Sequence, residues 1–123
     1  MRTVWQFHTS GQLVFGWGAV KQLSALMLRR KFQRVFLVTD KILAGNGILE
    51  RVRGPLIKAG LEVNVFDGGE PEPSVNAAIK TLEQARRFRP DVILGLGGGS
   101  NMDLAKVTAA AFSHDGSPSD YFG

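Results

Sequence analysis

The order of apolar runs and turn residues predicts an α/β fold, a doubly wound and mostly parallel sheet, as one domain over residues 1–123. Three observations carry this expectation. Strand-like and helix-like segments alternate along the chain. The segment Arg34 to Thr39 is almost unbroken in its apolar character, as a strand covered on both faces must be. The run Asp91 to Leu96 ends in Gly97-Gly98-Gly99 and passes directly into a helical pattern.

The elements follow in order. Trp5 to His8 and Gln12 to Phe15 flank Thr9-Ser10-Gly11 and read as a hairpin or strand pair. Gly16-Trp17-Gly18 breaks the second strand, and Ala19 to Lys31 carries Val20, Leu23 and Met27 at helical spacing. After the Arg34–Thr39 strand and Asp40, residues 46 to 59 place Ile48, Leu49, Val52 and Leu56 on one helical face. Gly54-Pro55 predicts a kink there, or two short helices. Glu62 to Phe66 is the next strand, followed by the acidic, turn-rich loop Asp67 to Pro73. Ser74 is an N-cap for a helix whose inner face is Val75, Ala78, Ile79, Leu82 and Ala85; Pro90 closes it. The last helix spans about Ser100 to Phe112, with an inner face mostly of alanine.

Composition narrows the function classes. Apolar residues make up 44% of the chain, enough for a packed core, and cysteine is absent, which removes disulfides and thiolate metal sites. The net charge of +4 gathers in Arg29-Arg30-Lys31 and in Arg86, Arg87 and Arg89, where helices end and cations suit the dipole. Phe88 is the single aromatic interleaved in these clusters, which offer no stacking platform, so no nucleic-acid partner is expected. No apolar stretch is long enough for a membrane span, and a cytoplasmic protein is the simplest account. Ser117 to Gly123 reads as a loop cut in mid-course, which suggests that more chain follows.

The glycine turn carries the chemistry. Backbone without Cβ atoms lets a ligand approach, and the helix start aims free N–H groups at the same point; a phosphate is the usual guest. One glycine suffices for a turn, so Gly97, Gly98 and Gly99 together favour contact with a ligand. The run is neither G-x-G-x-x-G nor a P-loop, since Ser100 fills the third glycine position and no Gly-Lys pair follows. Ser100 either contacts phosphate or forms a capping box with Asp103. Lys106 either pairs with Asp103 or reaches a phosphate. Asp40, at a strand end, either caps the segment Lys41 to Leu43 or accepts a hydrogen bond from an adenosine ribose, and the nearby glycine turn favours the ribose. The two histidines, His8 and His114, make no metal site, and no catalytic constellation stands out in this chain.

The string Gly97-Gly98-Gly99-Ser100-Asn101-Met102-Asp103-Leu104-Ala105-Lys106 closely resembles the GGGSxxDxAK pattern of the iron-containing (group III) alcohol dehydrogenases. Phe15 to Ala19, Val38-Thr39-Asp40 and Phe66 to Ser74 resemble further segments of that family, in the same order. The resemblance implies the N-terminal, Rossmann-like domain of a two-domain enzyme that oxidises alcohols or reduces aldehydes. It implies cofactor contacts from Gly97, Gly98, Gly99, Ser100 and Asp103, with Asp40 on the adenosine ribose, and therefore NAD rather than NADP. A divalent metal, by family iron, belongs to a helical C-terminal domain with one Asp and three His that this chain does not match, so the chain alone is expected to be inactive. Glu72 stands where many members carry Asn. A homodimer is one possible assembly. Glycerol dehydrogenases and dehydroquinate synthase share similar turns, and a non-catalytic nucleotide-binding or interaction module is the alternative from another class.

Overall fold

A computed structural model describes residues 5–8, 12–15, 20–70 and 74–114, with side chains for 23–70 and 74–113. Strand β1 (Trp5–His8) pairs antiparallel with β2 (Gln12–Phe15), with Trp5 opposite Phe15. Helix α1 (Val20–Arg29) leads to β3 (Arg34–Val38), then to the short α2 (Lys41–Gly45) and to α3 (Ile48–Lys58). Strand β4 (Glu62–Phe66), helix α4 (Val75–Phe88), strand β5 (Val92–Gly95) and helix α5 (Gly99–His114) complete the order. The sheet runs β1-β2-β5-β3-β4, and every pairing except β1 with β2 is parallel.

The apolar run of β3 predicts burial on both faces, and Val35 to Val38 are fully buried. Their side chains alternate. Val35 and Leu37 join Val92 and Leu94 beneath Leu23 and Met27 of α1 and Leu49, Val52 and Leu56 of α3. Phe36, Val38 and Ile93 face the other way, against Ala78 and Ala85 of α4 and Leu104, Ala105 and Ala109 of α5. The sheet is therefore doubly wound.

The expected break at Gly54-Pro55 does not occur: α3 is one continuous helix through Pro55. Pro55 is exposed, so its ring and the carbonyl it leaves unpaired lie on the outer side. Gly54 has no Cβ to clash with the proline ring. Buried Val52 and Leu56, on either side, hold the helix to the sheet. The helix stops where Gly60 takes φ +93°, with Gly60 N donating to Ile57 O and Leu61 N to Leu56 O. Helix α2 is an element that periodicity did not reveal, since none of its residues is buried.

The basic residues at the amino edge of the sheet have structural work. The Asp91 carboxylate accepts from Gln33 N at 2.9 Å and Arg34 N at 3.0 Å. The Arg34 guanidinium donates to the carbonyls of Phe88 and Arg89 at the end of α4, and lies 4.2 Å from the Phe88 ring centre. Exposed carbonyls of a helix end thus meet a cation, as the dipole favours. Among the described residues no helix is long and apolar enough to cross a membrane.

Candidate functional site

The carboxyl edge of the sheet holds a cleft of about 780 Å³. The chain leaves β3 toward α3 on one face and leaves β5 toward α5 on the other, so the loops diverge between these neighbouring strands. Such a divergence opens the crevice where doubly wound sheets bind ligands. Asp40, the loop Asp67 to Glu70, and Gly98 to Asn101 all line it, with Lys41, Lys80 and Gln84 on the walls.

Three loops meet there because their backbones are tied together. Thr39 N donates to Phe66 O at 2.8 Å, and Gly69 N donates to Thr39 O at 2.9 Å. Leu96 N donates to Val38 O at 2.9 Å, which carries the β5–β3 pairing one step past the strand. Asp40, in extended backbone, caps α2: its Oδ1 accepts from Leu43 N at 2.9 Å. Its Oδ2 accepts from Asn101 Nδ2 at 2.8 Å. The capping role is thus present, and the carboxylate still lines the cleft.

Each glycine of the turn has its own place. Gly95 lets α5 pack close to β5, because a Cβ there would lie 3.0 Å from the Ala105 Cβ. Gly97 takes φ +131°, and a Cβ would lie 2.3 Å from Asn101 Nδ2. Gly98 and Gly99 differ: among the described residues, no atom lies within 4 Å of a Cβ added to either. The space before their amides belongs to the cleft, so the glycines leave room for a ligand rather than for the fold. Met102 N donates to Gly98 O at 3.1 Å and the helix begins at Gly99, so Ser100 sits inside the first turn.

Of the residues singled out from the sequence, the fold brings Asp40, Gly98, Gly99 and Ser100 to one cleft. Gly97 stands behind them as the bend that aims the turn, and Asp103 is exposed on α5 outside the cleft lining. Glu72, Asp115, Asp120 and the side chains of His8 and His114 lie outside the described residues. Asn101 is the site residue that sequence reasoning missed. It is 3% exposed and heads the buried stripe Asn101, Leu104, Ala105, Thr108 and Ala109. A polar residue at the head of such a stripe needs partners, and that was the available signal. Among the described residues no group of three His, Asp or Glu is placed to hold a metal.

This geometry can be set beside known proteins. Residues 10–123 match the family described as iron-containing alcohol dehydrogenase. Long-chain-alcohol dehydrogenase 1 of Geobacillus thermodenitrificans is 38% identical over 106 residues, covering 86% of this chain and 27% of that protein. NADPH-dependent butanol dehydrogenase of Clostridium saccharobutylicum is 35% identical over 114 residues, covering 89% of this chain and again 27% of that protein. The crystal structure of NADH-dependent butanol dehydrogenase A from Thermotoga maritima superimposes with a TM-score of 0.76 at 30% identity, over 94% of this chain and 29% of the other. The chain thus spans less than a third of the length of these relatives.

Proposed function

This chain belongs to the iron-containing alcohol dehydrogenase family, and we propose that residues 1–123 form its dinucleotide-binding domain, with NAD as the cofactor. The observation that carries the proposal is the pair of bare glycines, Gly98 and Gly99, open to the cleft at the start of a helix of 16 residues. A helix leaves its first amides without intrahelical carbonyl partners, and those of Gly98 and Gly99 at the start of α5 suit the diphosphate. Asp40, on the neighbouring strand end, accepts a hydrogen bond from the adenosine ribose. A phosphate on that ribose meets the Asp40 carboxylate and is repelled, although Lys41 and Lys80 temper the cleft's charge. The two butanol dehydrogenases named above differ in NADH and NADPH, so membership leaves the choice to such residues.

Bound NAD supplies the hydride acceptor, and the substrate is a small alcohol or aldehyde. In this reading the described residues position the cofactor, and a divalent metal, by family iron, is held in the C-terminal domain that the family resemblance implies.

Calorimetric titration of the intact protein with NAD, NADP and ADP tests this reading. NAD and ADP are expected to bind more tightly than NADP. Absence of binding by all three, or preference for NADP, overturns it. A module with no catalytic role would bind nucleotide yet leave the oxidation of every alcohol at background.

A further inference from the structure

Asn101 joins the three loops of the cleft through one side-chain amide. Its Nδ2 carries two hydrogens and both are used, toward Asp40 Oδ2 at 2.8 Å and Leu96 O at 3.0 Å. Its Oδ1 faces Gly69, where a Cβ would come within 2.1 Å. The loops after β3, β4 and β5 therefore share a residue that is 3% exposed.

The consequence falls on Asp40. A carboxylate accepts at about four lone-pair sites on two oxygens. Leu43 N takes one site on Oδ1 and Asn101 Nδ2 takes one on Oδ2. Tied at both oxygens, the group cannot turn about its last torsion. Both neighbours are donors, so each carboxylate oxygen serves as an acceptor. What it offers to the cleft is a fixed acceptor for a hydroxyl and a fixed repulsion for an anion. Without the tie to Asn101, Oδ2 could swing away from an incoming phosphate and the discrimination would relax.

We infer that Asn101 is a specificity-determining positioning residue: by fixing Asp40, it sets the preference for a dinucleotide with an unmodified adenosine ribose over one that carries a phosphate there. The inference rests on the cofactor reading above. It assigns to Asn101 no contact with the dinucleotide.

The test is calorimetric binding of NAD and NADP to the intact protein and to four variants: Asn101→Ala, Asn101→Ser, Asp40→Asn, and Asp40→Asn with Asn101→Ala. Asn101→Ala is expected to lower the ratio of NAD to NADP affinity by about tenfold, the scale of one hydrogen bond to a charged group. Asn101→Ser, whose hydroxyl is too short to reach Asp40, lowers it in the same direction. Asp40→Asn keeps a good capping residue, and in that background Asn101→Ala leaves the ratio unchanged. A purely structural Asn101 instead weakens both dinucleotides equally, and that result overturns the inference. So does a ratio that still moves when the Asp40 carboxylate is gone. Circular dichroism and thermal melting report folding, and failure of both Asn101 variants to fold leaves Asn101 a structural tie and also overturns it. If the unmodified protein binds neither dinucleotide, the cofactor reading itself fails, a result distinct from normal binding with an unmoved ratio.

Discussion

Substituting Gly97 and Gly98, two adjacent glycines, separates folding from binding. Gly97 takes φ +131°, and a side chain in that glycine region costs about 1–3 kcal/mol. The added Cβ would also lie 2.3 Å from Asn101 Nδ2 and 3.0 Å from Leu43 Cδ1. The Asn101 amide must then move, leaving buried partners unpaired at about 1–3 kcal/mol. Gly97→Ala is therefore expected to lose about 3 kcal/mol or more, a large share of the roughly 5–15 kcal/mol by which domains are stable. At Gly98 no atom of the described residues lies within 4 Å of the added Cβ and φ is outside the left-handed region. Gly98→Val should change stability by no more than about 0.5 kcal/mol. Its methyl groups, however, fill the space before the helix-start amides. NAD affinity should fall by about 100-fold or more, as expected when several hydrogen bonds to a charged group are blocked. Urea unfolding reads the first quantity and calorimetry the second. Unimpaired NAD binding by Gly98→Val would place the diphosphate elsewhere. Equal stability of the two variants would show that neither strain nor the Asn101 tie acts at Gly97.

Further expectations follow from individual contacts. Asp40→Gly should narrow the gap between NAD and NADP affinities; glycine at an N-cap costs only about a few tenths of a kcal/mol, so binding and not unfolding dominates the effect. Thr39 is fully buried and its Oγ1 has no hydrogen-bond partner among the described residues. Thr39→Val should raise stability by about 1 kcal/mol, seen as a higher unfolding midpoint, and a lower midpoint would mean that the hydroxyl is satisfied. Arg34→Ala removes both the carbonyl contacts at the end of α4 and the stacking on Phe88, and should cost about 2 kcal/mol. Glu62→Ala breaks only the ion pair to Arg34, whose acid is 67% exposed, and should cost less than about 1 kcal/mol in the same assay.

Much of the fold was legible because its signals are local. Strand β4 falls where the alternation placed it, Ser74 caps α4 with its Oγ accepting from Ala77 N at 3.1 Å, and the apolar run of β3 announced burial on both faces. Local signals misled where a tertiary contact outweighed them. Proline predicts a helix break by its own sterics, yet α3, with Val52 and Leu56 buried on either side, continues past Pro55. Helix α2 escaped notice because it is only five residues long and none of them is fully buried, so it has no periodicity.

The site divides along the same line. Residue type and spacing pointed to the glycine turn, and to Asp40 only in company with it, since a carboxylate at a strand end also serves as a helix cap, as Asp40 does for α2. The division of labour inside the turn depended on how α5 sits: Gly97 turned inward against Asn101, while Gly98 and Gly99 opened to the cleft. The link from Asn101 to Asp40 spans 61 positions of chain. No periodicity encodes such a bond. It exists because two parallel strands, β3 and β5, are neighbours in the sheet while a full strand and three helices separate them in sequence.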